Sequence, residues 1–302
     1  MTIPSTATEL QGNLENVPEF GNTPFLFKRL SDYNPGESWI ALVYGPSKTG
    51  KTYFAGTAGS RTLFLNIGDG IETLMAPAFT QKYPNSKNMI MVDIRESNPN
   101  GTAEAFDRTC EAIDYALANF RDKFDHIVLD EATAFRKYAV NKATELNTAD
   151  RTRGAVRAKR TEEYIKIDVG DYNIEMQMIE WFLGTYTPIF KEAKKNFLML
   201  AHERQVYNKP AKIGDEPTLR KTMPGFTGKT FPDTVPAYFD DVWHSEVVGG
   251  GDNVVYRIRT AGSEMEVGGS RHGGIFTTIE TDPNYLKMLE RIKAAQPKPT
   301  RR

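Results

Sequence analysis

A phosphate-binding loop constrains this chain more than any other stretch of its sequence. The pattern G-x-x-x-x-G-K-[ST] has four fixed positions. All four are present in the run Gly45-Pro46-Ser47-Lys48-Thr49-Gly50-Lys51-Thr52. An apolar run at residues 39–44 stops where the loop begins, as a buried parallel strand does, and residues 51–58 can begin a helix. Strand, loop and helix therefore follow in the order that phosphate binding requires.

The residue types of this loop suit the anionic tail of a nucleotide. Backbone N–H groups of the loop and of the first helical turn would point at the phosphates, and Gly45 and Gly50 permit close approach. Lys51 is the expected cation on the β- and γ-phosphates of ATP, and the Thr52 hydroxyl is the expected ligand of Mg²⁺. Lys48 is either a second cation for the phosphates or a solvated loop lysine.

An acidic strand end supplies the second half of a nucleotide site. The apolar run that starts at Ile127 ends in Asp130. We expect its strand to lie beside the loop strand, so that the Asp130 carboxylate reaches the shell of the Mg²⁺ ion. Glu131 follows directly and is a candidate general base for the attacking water. The alternative for Glu131 is a solvated or salt-bridged carboxylate at the end of a strand.

The remaining pattern predicts alternating strands and helices. We expect an N-terminal arm over residues 1–36, a core over 37–275, and a C-terminal helix with a basic tail over 276–302. The region between Asp130 and the strand at 196–202 is predicted to be a long polar insert followed by a helix from about Tyr172 to Lys194, bent or split at Gly184 or Pro188. Further strands are expected at 62–67, 89–94, 238–248 and 253–260, further helices at 101–120 and 283–295, and a long loop at 203–235.

Composition excludes several classes of protein. The net charge is −1 over 302 residues, so the chain carries no global basic field for nucleic acid. Cys110 is the single cysteine, which rules out a disulfide framework, and its helical spacing predicts a core position. His126 and His244 lie in strand-like runs, where we expect structural roles. Without a membrane-length apolar run or a secretory start, we expect a cytoplasmic protein and no membrane partner.

The order of these motifs resembles that of the RecA-like ATPases. It runs from the phosphate loop to the strand ending at Asp130 and Glu131, then to the strand ending in Ala201-His202-Glu203-Arg204, and then to a long basic loop. Within that group the chain most closely resembles short phage-encoded nucleotide-binding proteins linked to single-strand annealing and recombination. The resemblance covers roughly residues 38–275. It implies an α/β fold with a RecA-like P-loop NTPase core, a mainly parallel sheet flanked by helices, and a β-rich C-terminal extension.

The resemblance also implies roles for individual residues. His202 would sense the γ-phosphate, and Arg271, or else His272, would reach the nucleotide of a neighbouring subunit in a homo-oligomer. RecA-like ATPases usually carry a catalytic glutamate at a position that is Gly68 in this chain. Asp69 or Glu131 would then have to act as the base, or hydrolysis would be slow.

Two basic segments occupy the places where RecA-like proteins contact DNA. One is the stretch 151–160, and the other is the long loop at 204–235, in which lysines and arginines alternate with aromatic residues. Cations for phosphates and rings for bases are typical of sequence-tolerant binding to single-stranded DNA. A solvated charged loop is the alternative for either segment alone. A single-strand binding protein is a further candidate partner.

These observations predict a Mg²⁺-dependent ATPase that acts on single-stranded DNA in phage recombination or annealing. Three other classes use the same loop and stay open from the sequence. They are an AAA-type motor or helicase loader, a small-molecule kinase, and a nucleotide-dependent scaffold without turnover.

Overall fold

The computed structural model describes most of the chain beyond the N-terminal segment. The described residues are 37–68, 70–96, 103–149, 167, 169–209, 216–250 and 253–295. The predicted arm at 1–36, the residue Asp69, the basic stretch 151–160 and the basic tail lie outside this set. None of the helices in the described ranges combines the length and the apolar composition that crossing a bilayer requires.

Strands form the centre of the fold and helices cover both of its faces. Within the described ranges the strands are β1 Ile40–Gly45, β2 Thr62–Asn66, β3 Ile90–Asp93, β4 His126–Asp130, β5 Asn196–Tyr207, β6 Leu219–Pro224, β7 Asp241–Val248, β8 Val255–Arg259, β9 Gly269–Ser270 and β10 Ile279–Thr281. The helices are α1 Lys51–Gly56, α2 Glu72–Met75, α3 Pro77–Lys82, α4 Ala105–Asn119, α5 Ala132–Ala149, α6 Val169–Glu192, α7 Phe231–Thr234 and α8 Tyr285–Ala294.

The sheet has the order β10-β8-β7-β1-β5-β4-β2-β3. From β3 to β7 neighbouring strands are parallel, whereas β8 and β10 extend the sheet in antiparallel pairing. The predicted α/β class, with a mainly parallel sheet and additional strands toward the C-terminus, is therefore confirmed. The carboxyl ends of β1, β4 and β5 meet at one edge, where Gly45, Asp130 and His202 lie.

One expectation about the strand order is wrong. β4, which carries Asp130, does not lie beside the phosphate-loop strand, because β5 pairs with β1 on one side and with β4 on the other. Asp130 nevertheless reaches the loop, because α1 packs across both β1 and β5 and so carries its first turn toward the end of β4.

Side chains that alternate along the strands build two apolar cores. One face, with Ile40, Leu42 and Leu129, packs against α4, α5 and α6, and the other, with Val43, packs against α1 and α8. β1 is buried at every position, as predicted for a central parallel strand. Cys110 belongs to the first core, and burial raises the pKa of its thiol to about 12, which agrees with the predicted core role.

The region between β4 and β5 differs from the predicted polar insert. It begins with an 18-residue helix, α5, whose buried face has small residues at helical spacing, Ala132, Ala139 and Ala143, around Phe135. α6 then runs through Gly184 and Pro188 as one helix and is not split. The part of the insert at 151–160 lies outside the described residues.

The predicted long loop at 203–235 is mostly a β-hairpin. β5 continues past the parallel sheet to Tyr207, and its second half pairs in antiparallel fashion with β6. The hairpin is fixed to a later segment, because Thr222 N–H donates to the Met265 carbonyl at 2.6 Å and Val267 N–H donates to the Thr222 carbonyl at 2.9 Å. Residues 210–215 of this region lie outside the described set.

Asn196, the first residue of β5, connects β5 to the starts of β1 and β4 at the amino-terminal edge of the sheet. Its side-chain oxygen accepts the Trp39 N–H at 2.9 Å, and its NH₂ group donates to the Asp125 carbonyl and to His126 Nδ1 at 3.1 Å. His126 is buried against the ring of Tyr285. Burial lowers the pKa of His126 to about 4, so the imidazole is neutral in the folded chain.

His126 should make the fold sensitive to acid. Its folded pKa of about 4 lies below the value of 6.5 expected when unfolded, so its contribution to stability is present above pH 6.5 and is lost as the pH falls toward 4. Between pH 7 and pH 5 we expect this residue to account for a loss of about 2 kcal/mol in the free energy of unfolding. Urea unfolding at both pH values measures it. His126→Gln should show a correspondingly smaller loss, and an identical loss in the two proteins would contradict this role.

Candidate nucleotide site

The phosphate loop is supported from β7. Gly50 has a φ of +82°, and its carbonyl accepts the Phe54 N–H at 2.8 Å as α1 begins. The Ser245 hydroxyl donates to the Thr49 carbonyl at 2.7 Å, and the Thr49 hydroxyl donates to the Pro46 carbonyl at 2.9 Å. These bonds fix the loop against the sheet.

Gly45 is required by the closeness of β7. A Cβ atom at this position would lie 2.2 Å from the backbone oxygen of Ser245. Only glycine lets the two strands approach to this distance at the point where β1 enters the loop.

Lys51 directs its charge into the loop. Its ammonium donates to the carbonyls of Gly45 at 3.0 Å and Pro46 at 2.6 Å, and the side chain is buried. Burial lowers the pKa of Lys51, while the carboxylates of Glu131 and Asp130 act in the opposite direction. A cation held in this position can balance the charge of a phosphate group that binds to the loop. Lys48 has a φ of 66° and is exposed, and the alternatives for it stay open.

The Thr52 hydroxyl donates to Asp130 Oδ2 at 2.8 Å, which joins the two halves of the predicted site. Burial raises the pKa of Asp130 to about 6, against the hydrogen bond from Thr52 and the charge of Lys51. Gly70 leaves the space beside this pair open, since a Cβ atom there would lie 2.8 Å from Asp130 Oδ2 and 2.9 Å from Thr52 Oγ1. One carboxylate and one hydroxyl that border a small open space fit Mg²⁺, which takes its other ligands from phosphates and water.

Within the part of the chain that the structure describes, Asp130 and Thr52 do not belong to a larger set of protein ligands for a metal ion. Among the described residues, no group of three or more His, Cys, Asp or Glu side chains is arranged to hold an ion.

Glu131 and His202 also line the site and contact each other. His202 Nε2 lies 2.8 Å from Glu131 Oε2. Burial raises the pKa of Glu131, whereas burial and the nearby Lys51 lower the pKa of His202. A neutral His202 that donates from Nε2 can therefore orient a Glu131 carboxylate.

The Glu131 side chain lies beside Gly68, the position at which the resemblance to RecA-like ATPases would place a glutamate. A Cβ atom at Gly68 would lie 3.1 Å from Glu131 Cγ, so the Glu131 side chain fills the space beside that position. Asp69, the other predicted candidate for the base, lies outside the described residues.

These groups surround one cavity of about 440 Å³. It is lined by Ser47, Lys48, Gly50, Lys51, Thr52, Tyr53, Gly68, Gly70, Thr73, Asp130, Glu131, His202 and Tyr256. Of the predicted catalytic and metal-binding residues, the structure brings Lys51, Thr52, Asp130, Glu131 and His202 together here.

Two tyrosines that sequence reasoning missed form an aromatic slot beside the loop. The rings of Tyr53 and Tyr256 are nearly parallel, at an angle of 20°, with centroids 6.1 Å apart. The Tyr256 ring lies against Gly50, where a Cβ atom would come within 2.7 Å of it. Both rings also line a neighbouring cavity of about 190 Å³, together with Tyr83 and Lys82. Tyr53 follows the loop directly and could have been noticed, whereas Tyr256 is brought there only by sheet pairing.

Arg271 lies at the opposite edge of the sheet. Its guanidinium pairs with Asp240 Oδ1 at 3.2 Å and donates to the Ala237 carbonyl at 2.8 Å, next to the start of β7. Within this chain it therefore does not reach the phosphate loop. His272 is similarly occupied, since its Nδ1 lies 2.7 Å from Asp241 Oδ2.

A family model described as AAA domain matches residues 37–235. None of the curated proteins matches the chain.

Similar solved structures come from several proteins. The flagellar accessory protein FlaH from Methanocaldococcus jannaschii is 9% identical over 81% of this chain and 84% of that chain, with a TM-score of 0.43. A KaiC-like protein from Pyrococcus horikoshii is 12% identical over 76% and 80%, with a TM-score of 0.39. The RadB recombinase is 14% identical over 75% and 82%, with a TM-score of 0.36. Likenesses of this size carry no conclusion about activity or partners.

Gly50→Ala should weaken nucleotide binding. An alanine would be strained at a φ of +82°, and its Cβ atom would displace the Tyr256 ring. We expect the affinity for a fluorescent ATP analogue to fall by at least about tenfold, the equivalent of about 1.4 kcal/mol. Gly273→Ala is the matched control, because a Cβ atom there meets nothing within 4 Å. Equal affinities for the two variants would contradict this role for Gly50.

Proposed function

The chain belongs to the AAA domain family, and from this premise we propose that it is a Mg²⁺-dependent ATPase that acts on single-stranded DNA. The hydrogen bond from Thr52 to Asp130 at 2.8 Å carries the nucleotide part of the proposal. It joins the loop hydroxyl and the acidic strand end, which are the two protein groups that a Mg²⁺·ATP complex requires. The aromatic slot of Tyr53 and Tyr256 offers a stacking surface for the base of the same nucleotide.

In this proposal the residues of the chain divide the work of hydrolysis. Lys51 and the loop amides would hold the β- and γ-phosphates, and Thr52 and Asp130 would hold the metal ion. When bound, Mg²⁺ would neutralise charge on the phosphate oxygens. Glu131 accepts the proton of the attacking water, and His202 holds its carboxylate in place.

The β5–β6 hairpin supports the DNA part of the proposal. It extends from the edge of the sheet at which the nucleotide cavity lies, directly after His202. It carries Lys209 and Arg220 on its exposed surface, and Tyr207 is half exposed. Positive charge with a free aromatic ring is the combination that binds single strands without sequence preference.

A role in phage recombination or annealing completes the proposal, following the proteins that the sequence resembles. The same resemblance supports a homo-oligomer in which Arg271 reaches a neighbouring nucleotide, and a single-strand binding protein as a partner. At the sheet edge opposite its own loop, Arg271 is separated from the nucleotide of its own chain, as a residue acting between subunits would be.

A motor or helicase loader is the second candidate, favoured by the adjacent pair Asp130 and Glu131. A helical lid domain after β5 would favour a motor or loader. The described part of the chain after β5 instead adds β6 to β10, which favours the ATPase that acts on single-stranded DNA. ATPase rates with and without single-stranded DNA would separate the classes. Stimulation by DNA supports either candidate, stimulation by a metabolite would indicate a kinase, and no turnover would indicate a scaffold.

Lys51→Ala should abolish ATP hydrolysis, because it removes the cation at the phosphate loop. We expect a fall of at least about 100-fold in the steady-state rate. Lys287→Ala on the exposed side of α8 removes an equal charge away from the site and should leave the rate unchanged. Turnover at the wild-type rate in Lys51→Ala would refute the assignment of the site.

The hairpin prediction concerns salt dependence. The double variant Lys209→Ala/Arg220→Ala should bind single-stranded DNA more weakly. The negative slope of its log affinity against log salt should become shallower by about 1.4, since each phosphate contact contributes about 0.7. Fluorescence anisotropy over a salt series measures both. The control Lys87→Ala/Lys123→Ala makes the same change of charge on exposed sites elsewhere. The same slope in all three proteins would remove the hairpin from the DNA interface.

A further inference from the structure

A second cavity lies directly behind the nucleotide site. It has a volume of about 490 Å³ and is bordered by the start of α5, the start of α6 and the base of the β5–β6 hairpin. His202 is the residue that lines both cavities. Its side chain contacts Glu131 on the nucleotide side, while its backbone belongs to the strand that continues into the hairpin.

The backbone of His202 is bonded on both sides. Its N–H donates to the Thr133 hydroxyl at 3.2 Å, and its carbonyl accepts the Gly225 N–H at 2.8 Å. The approach of Gly225 is close, because a Cβ atom there would lie 2.9 Å from the His202 oxygen. These contacts tie His202 to Gly225, the residue that directly follows β6.

Arg136 connects Gly225 to the helices α5 and α6. From α5 its NH1 group donates to the Gly225 carbonyl at 2.8 Å, and its Nε donates to Glu175 Oε1 of α6, also at 2.8 Å. Glu175 is fully buried, and its second oxygen lacks a hydrogen-bond partner among the described residues. A buried carboxylate needs its cation, so Arg136 cannot leave without a large penalty.

These contacts form a short chain from the metal-binding strand to the hairpin. α5 begins directly after Asp130 and Glu131, and Arg136 lies one turn into that helix. We propose that Arg136 is a positioning residue that couples the nucleotide cavity to the β5–β6 hairpin. It makes Gly225 and the start of α5 move as one body, so that a change at Glu131 and His202 reaches the DNA-binding strands. This inference rests on the proposed function.

The experiment uses three variants that separate the contact from the buried charge. Glu175→Gln removes the carboxylate and keeps the bond from Arg136 to Gly225. Arg136→Met/Glu175→Gln removes that bond without leaving a buried charge unpaired. Arg136→Lys keeps a cation beside Glu175 but loses the second N–H group of arginine, which donates to Gly225. This variant replaces the double variant in the experiment if the double variant does not fold.

The measured quantity is the ratio of single-stranded DNA affinities with ATPγS and with ADP. We expect the wild type and Glu175→Gln to share a ratio of at least about tenfold, and the double variant and Arg136→Lys to fall to within about twofold of unity. ATP hydrolysis without DNA should stay within about twofold of wild type in all variants, since neither Arg136 nor Glu175 lines the nucleotide cavity. A role confined to stability would lower the melting temperature without changing the ratio.

Two negative outcomes are distinguishable. A wild-type ratio in a folded Arg136→Met/Glu175→Gln protein, or in Arg136→Lys, overturns the coupling alone. A wild-type protein that does not bind single-stranded DNA with either nucleotide overturns the proposed function, and the coupling with it.

Discussion

The hydrogen bond between Thr52 and Asp130 is the contact on which the rest of this molecule depends. It links the first turn of α1 to the end of β4 across an intervening strand, at a distance of 2.8 Å. Both groups are held by rigid elements, and Gly70 keeps the space beside them open. Rigid elements therefore hold in place the two side chains that the proposed Mg²⁺ site requires.

The strand between β1 and β4 gives the site its connection to the surface. Because β5 lies between the loop strand and the acidic strand, its residue His202 faces the cavity and contacts Glu131. The same strand continues outward and pairs with β6. A strand at this position therefore suits the two roles proposed for it, which are to sense the nucleotide through His202 and to carry a surface for DNA.

The parts of the fold that local pattern determines could be predicted from the sequence. β1 and its loop follow from an apolar run and fixed motif positions, and the β7–β8 hairpin follows from its glycine-rich turn. α5 could not be predicted in this way, because three of its buried positions are alanine, which gives a weak apolar signal. β6 pairs with β5 and is also fixed by backbone bonds to Met265 and Val267, and the aromatic slot depends on Tyr256. Such distant pairings leave no local pattern.

The most direct test is the dependence of ATP binding on Mg²⁺ in the wild type and in Asp130→Asn, measured by calorimetry. If Thr52 and Asp130 share the metal ion, Mg²⁺ should raise the affinity of the wild type for ATP by about tenfold or more. The variant, which keeps the shape of the side chain, should bind metal-free ATP as the wild type does and gain nothing from Mg²⁺. An equal gain from Mg²⁺ in both proteins would contradict the account.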